Sequence, residues 1–352
     1  MTTHCISFAI GNFCSGKTQS GFTLMELLLV VFILSALALT STAFVDNQDD
    51  QFRFDDTRRR LELIRQAVVG HDPRTTVANG YVAENGILAS SIGNLLDASP
   101  AGFTNSAAQQ PVFDATPNSS SGYDDGVDVQ TLTGDAERLL KGWRVGYLHA
   151  QPGSAVFKDG WGHDWAAVVV AGELKVTSPA KNGVFNAADT GYDKDMEDKV
   201  LQSNWSSTVA GLTVLIRNQS GIDYVGRLRA SLLVFENSGT GARWKRYTSD
   251  ALTCLDGTGN GLVDHDNNVG TPEVPCGHEA MLTFPLGGYP HTGVGYSDTR
   301  VPLGRHLLVL VRDPDGTAHS LDDAPYPGAA TPVSRQIVCS AAGCPLETLV
   351  LK

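Results

Sequence analysis

Three clusters in this 352-residue chain have residue types and spacing suited to chemistry. Asp256-Gly-Thr-Gly-Asn260-Gly261-Leu-Val-Asp264-His-Asp266-Asn267 approaches a twelve-residue calcium loop, with side-chain oxygens at the first, third, fifth and ninth places and Gly at the sixth. Asp256, Asn260, Asp264 and Asp266 are its candidate ligands, but Asn267 stands where a bidentate Glu belongs. Two readings stay open: a modest calcium site, or a polar turn closed by a disulfide. Cys254 and Cys276 flank the loop, and Cys339 and Cys344 follow it. Four thiols in the last third of the chain suggest an oxidising compartment and up to two disulfides, with the local pairs Cys254–Cys276 and Cys339–Cys344 favoured among the three possible pairings. Zinc is disfavoured, because the two pairs lack short knuckle spacing on both arms and no His accompanies the second pair.

The third cluster, Gly11-Asn-Phe-Cys-Ser-Gly16-Lys17-Thr18, fits the phosphate-cradling pattern G-x-x-x-x-G-K-[ST]. That chemistry needs a strand before the loop and a helix after it. Here the following helix would be a membrane-spanning run, and no βαβ unit surrounds the loop. A G-x-S-x-G elbow and an H-E-x-x-H helix are also lacking, and the His residues sit singly among loops, so the chain is not expected to be an enzyme. With 38 acidic and 26 basic residues the net charge is -12, which repels nucleic-acid phosphate and suits hard divalent cations.

The elements that must carry these groups begin with FTLMELLLVVFILSALALTSTAFV, from Phe22 to Val45. As a helix this run would be about 36 Å long, enough to cross a bilayer. A polar leader with one Lys and no acid precedes it, which sets the N-terminus on the cytoplasmic side. Glu26 is the run's single charge, and a carboxylate in hydrocarbon costs roughly 2.5–3.5 kcal/mol. Cleavage just before Phe22 would create an amine able to neutralise it, within the chain or from a neighbour.

The segment Gly21-Phe22-Thr23-Leu24-Met25-Glu26-Leu27 resembles the leader junction of type IV pilins and type II secretion pseudopilins. The resemblance implies cleavage after Gly21 by a membrane prepilin peptidase and methylation of the Phe22 amine. It further implies a filament in which Glu26 pairs with the Phe22 of an adjacent subunit. The implied partners are other pilin or pseudopilin subunits, the peptidase and an inner-membrane assembly platform. The implied location is a single-pass inner-membrane protein whose C-terminal part is periplasmic before assembly into a filament in the periplasm or at the cell surface.

Beyond the apolar run, Leu61, Ile64 and Val68 share one helical face and Gly70 follows as a C-cap, so one spine helix of about 48 residues is expected, with a break near Asp46 to Asp50 as the competing reading. Phe157 to Thr177 reads as a turn leading into a β-hairpin, with Trp161 and Trp165 as packing residues. This stretch is similar to the head of the major pseudopilins, with Asp159, Trp161, Gly162 and Trp165 at the places of a D-x-W-G-x-x-aromatic turn. That resemblance implies a calcium site built from Ser178 and Asn182 on one arm and Asp189, Asp193 and Asp195 on the other. Ala180 and Asn182 stand where the family has Gly and Asp.

From about Leu201 the pattern becomes short strands, including Leu212–Ile216, Ala230–Glu236 and His306–Arg312, which points to a β-sandwich. The expected fold is therefore α+β. Its parts are a leader over residues 1–21, a spine helix over 22–70 that spans the membrane at 22–45, a pilin-like head over 71–199 and a β-rich domain over 200–352. The expected function is a structural subunit of a type IV pilus-like or type II secretion filament. The alternative is a minor tip pilin whose C-terminal β domain binds a surface, a glycan or a secretion substrate.

Overall fold

The computed structural model describes residues 23–70, 79–96, 101–117, 123–133, 138–144, 146–150, 155–219, 228–238, 240–250, 253–254, 279–284, 289–291, 294–296, 300–314 and 321–351. Two compact units are present, one ending at Phe52 and one running from Arg53 to Lys352. A single helix, Leu24–Val69, contributes to both, so the expected spine is one unbroken element through Asp46 to Asp50. It stops because Gly70 turns left-handed at φ +66 and lies against Gly80, where an added Cβ would meet the Gly80 nitrogen at 1.9 Å.

In the first unit the large apolar side chains from Leu24 to Leu39 are exposed. Among the described residues no helix is long and apolar enough to cross a membrane, so the expected span over 22–45 is not supported. Its first residue lies outside the described set, and the helix that contains the rest continues into Asp46, Asp49 and Asp50 and an arginine-rich turn.

The second unit has two sub-assemblies built on different periodicities. Leu61, Ile64 and Val68, at helical spacing, are buried with Leu174, Val176 and Val200 from an antiparallel sheet of the strands Ala166–Val170, Glu173–Ser178 and Met196–Val200. The first two strands form a hairpin closed by Ala171 and Gly172, both at positive φ (51 and 79), the backbone of a tight two-residue turn. The helix approaches the turn ahead of the sheet so closely that a Cβ on Gly160 would meet the Arg53 carbonyl oxygen at 2.2 Å.

Beyond residue 200, two sheets bury side chains in a shared core. A five-stranded sheet contains the strands Gly241–Thr248, Leu228–Ser238, Gly304–Arg312 and Ser334–Cys339. A four-stranded sheet pairs Glu279–Thr283 and, in parallel, Glu347–Leu351 with Thr213–Asn218. Strand alternation assigns Leu228, Ala230, Leu232, Leu308 and Leu310 to the core between the sheets, with Val214, Ile216, Leu282 and Leu349 opposite. The other face of the central strands is equally apolar. Leu233, Phe235, Leu307, Val309 and Val311 are buried there against Phe113, Ala115, Leu132 and Leu139. Residues from both sides of position 200 thus share one core, because a sheet apolar on both faces must be covered on both.

Candidate functional site

Two of the expected sites have described residues, the head loop and, at Glu26, the N-terminal junction. The head loop begins where the strand Glu173–Ser178 ends. Asp159, only 2% exposed, accepts hydrogen bonds from the backbone N–H groups of Trp161 (3.0 Å) and His163 (2.7 Å) through Oδ1, and from the Ser178 hydroxyl (2.6 Å) through Oδ2. Ser178 thus donates its hydroxyl proton to the carboxylate that organises the aromatic turn. The turn is itself fixed by ring packing: Phe54 meets Trp161 edge-on at 6.4 Å and Tyr192 at 5.9 Å, while Trp165 stacks on Phe157 at 6.4 Å.

Three of the remaining expected ligands come together. The Asn182 amide nitrogen donates to Asp189 Oδ2 at 2.6 Å, and that of Asn186 donates to Asp189 Oδ1 at 2.8 Å. Both amides are oriented by their own turns, since Asn182 Oδ1 accepts from Val184 N–H and Asn186 Oδ1 from Ala188 N–H. The Asn186 N–H bonds Asp195 Oδ2 at 2.9 Å, whereas Asp195 Oδ1 is shielded from solvent with no hydrogen-bond partner. Asp193 ends the exposed turn Gly191–Asp193 and points its carboxylate at none of these groups by any hydrogen bond. Asn186 is the member that sequence reasoning missed; its position three residues before Asp189, with Ala188 N–H in Asx-turn register, was the available signal. Among the described residues no group of three or more His, Cys, Asp or Glu is placed to hold a metal ion.

The second candidate loop, Asp256, Asn260, Asp264 and Asp266, lies outside the described residues, as does Cys276, the expected partner of Cys254. The other expected disulfide, Cys339–Cys344, is formed, with Cα atoms 4.2 Å apart and Cys339 fully buried in the sandwich core.

At the N-terminus Gly21 and Phe22 lie outside the described residues, but Glu26 does not. Its carboxylate accepts from both the N–H (2.9 Å) and the hydroxyl (3.0 Å) of Thr23, and its own N–H donates back to the Thr23 hydroxyl at 3.3 Å. Thr23-Leu-Met-Glu26 is thus a reciprocal capping box that opens the helix. Residues 16–42 match the family model of the prokaryotic N-terminal methylation motif. The N-terminus is that of a type IV pilin-like prepilin. Neither a curated protein nor a solved structure shows significant similarity to the chain. The prepilin segment supports a pilin-like or pseudopilin subunit that prepilin peptidase processes and that interacts with other such subunits. Gly21, Phe22 and Glu26 lie within the matched residues.

Proposed function

We propose that this chain is a structural subunit of a type IV pilus-like or type II secretion filament. The peptidase cuts it after Gly21, its Phe22 amine is methylated, and it is anchored in the inner membrane by the apolar half of its helix until an assembly platform adds it to the filament. The methylation motif over residues 16–42 carries this reading. The row of exposed apolar side chains from Leu24 to Leu39 supports it, because such a surface in water demands lipid or neighbouring helices as cover. Glu26 is satisfied within the chain by Thr23, which lowers the cost of carrying a carboxylate into the apolar layer before a neighbour's Phe22 amine replaces that contact. Intact-mass measurement of the membrane-extracted protein tests the reading. The expected mass begins at methylated Phe22, and retention of residues 1–21 or cleavage at Ala38 or Ala43 defeats it.

Calcium binding at the head loop belongs to the same proposal. The donor set fits a hard cation: Asp189 and Asp195 offer carboxylates, Asp195 Oδ1 is buried without a partner, and calcium also takes amide and carbonyl oxygens, which Asn182, Asn186 and the backbone carry. An ion held by Asp189 and Asp195 would supply positive charge between the two arms of the loop. The Asn182 and Asn186 amides orient Asp189 towards that place.

A further inference from the structure

The strand Ala166–Val170 is an edge of its three-stranded sheet, since it pairs only with Glu173–Ser178 among the described residues. Its sequence, Ala-Ala-Val-Val-Val, has no charge, proline or bulge, the usual protections of an exposed edge. Val168 and Val170 are 53% and 65% exposed. The hairpin register fixes which backbone groups are engaged. Val170 and Glu173 flank a two-residue turn and so exchange hydrogen bonds, as do Val168 with Lys175 and Ala166 with Thr177. The N–H and C=O groups of Ala167 and Val169 therefore face away from the sheet.

On the opposite face from Val168, the Val169 side chain enters the wall of a cavity of about 340 Å³ that Gly172, Gln202, Trp205, Val234 and Tyr247 also line. The Trp205 ring is held in that wall by its indole N–H, which donates to the Gly172 carbonyl at 2.8 Å. Edge and cavity are one surface: the same two residues, Val169 and Gly172, belong to the hairpin and to the lining. Outward backbone groups commit the occupant to extended backbone, and the part of the wall formed by Val169, Trp205, Val234 and Tyr247, with Glu236, Lys245 and Arg300 elsewhere on the lining, commits it to a large apolar side chain.

We infer that this edge and cavity bind an extended peptide segment of a partner protein, which adds a strand beside Ala166–Val170 and places an apolar side chain in the cavity. The inference is independent of how the N-terminus assembles. The proposal is tested by panning a phage-displayed random peptide library on detergent-solubilised, processed full chain, then measuring binding of a synthetic copy of the enriched sequence. Val169→Pro removes one outward N–H and places a ring in the path of an added strand, yet leaves the Val168–Lys175 and Val170–Glu173 pairs intact. Gln202→Trp fills the cavity from a partly exposed position and is the second variant. Enriched peptides should share one large apolar residue flanked by alternating β-formers, lose affinity about tenfold or more on both variants, and slow amide exchange at Ala167 and Val169. The absence of enrichment, undiminished binding by Val169→Pro, or loss in only one variant overturns the proposal.

Discussion

The Ser178 hydroxyl donates a 2.6 Å hydrogen bond to the buried carboxylate of Asp159, which joins the end of a strand to the aromatic turn nineteen residues earlier. Asp159 is an acceptor-only group that faces three donors, Ser178 Oγ and the N–H groups of Trp161 and His163. Asp159→Ala removes the acceptor of all three, one buried and two part-buried, and should destabilise the protein by roughly 2–4 kcal/mol. Asp159→Asn, which keeps one oxygen but turns an amide N–H towards a donor, should fall between the two. Denaturant midpoints of the two variants check the order.

The reciprocal contact between Thr23 and Glu26 separates two roles that one carboxylate could hold. A Gln at the third helical position still completes a capping box, so Glu26→Gln should insert and be cleaved like the wild type. It cannot pair ionically with a neighbour's Phe22 amine, so filament yield in the sheared fraction should collapse while membrane levels hold. Thr23→Val should do the converse, with a cost of about 1 kcal/mol at the helix start and near-normal assembly. Equal filament yield from Glu26→Gln and wild type would show that the charge is not used.

The head loop gives a metal-removal prediction. At about a hundredfold excess over its dissociation constant, calcium should stabilise the protein by about 2.7 kcal/mol, and a chelator should reverse the gain. Asp189→Ala with Asp195→Ala should abolish it. Ser178→Ala should lower stability with or without the ion, because the Ser178 hydroxyl serves Asp159. Melting curves with calcium, with magnesium and with chelator distinguish these outcomes; a full calcium response in the double variant would place the binding elsewhere.

Acid sensitivity should trace to His306. Burial, reinforced by nearby Lys141, pushes its ring from 6.5 down to about 3, with Nε2 2.7 Å from the Pro302 carbonyl and Nδ1 unpartnered. The unfolded chain protonates this ring below pH 6.5 while the native state does not until about pH 3, so stability is lost as pH falls through that window. The slope should reach at most about 1.4 kcal/mol per pH unit. Lys141, which burial lowers from 10.5 to about 7, costs stability mainly as pH falls from 10.5 to about 7 and carries its charge in both states at the acid end of the His306 window. His306→Leu should lower stability at neutral pH by about 1–3 kcal/mol, since the Pro302 carbonyl loses its donor, but flatten the decline below pH 6.5. Urea titrations at several pH values read both effects.

What the sequence determined by itself was whatever is written in consecutive residues. The processing junction is seven residues long, the helical face of Leu61, Ile64 and Val68 repeats within three turns, and the hairpin from Ala166 to Thr177 is alternation closed by a turn. The strands at Leu228–Ser238 and Gly304–Arg312 were legible for the same reason, and so was the short-range pair Cys339–Cys344. Only the tertiary structure decided how these pieces cover one another. Phe113, Leu132 and Leu139 sit in strands or turns too short to show a period, and nothing near them names Leu233 or Val309 as their partners. The bond from Ser178 to Asp159 emerged only once the strand end was set beside the aromatic turn, and Asn186 gained a role only once a turn aimed its amide at Asp189. Local pattern reports the dihedral preferences and amphipathicity of one segment. The burial of a second sheet face, and the choice of a donor for each buried carboxylate, depend on residues far apart in the chain that only packing brings together.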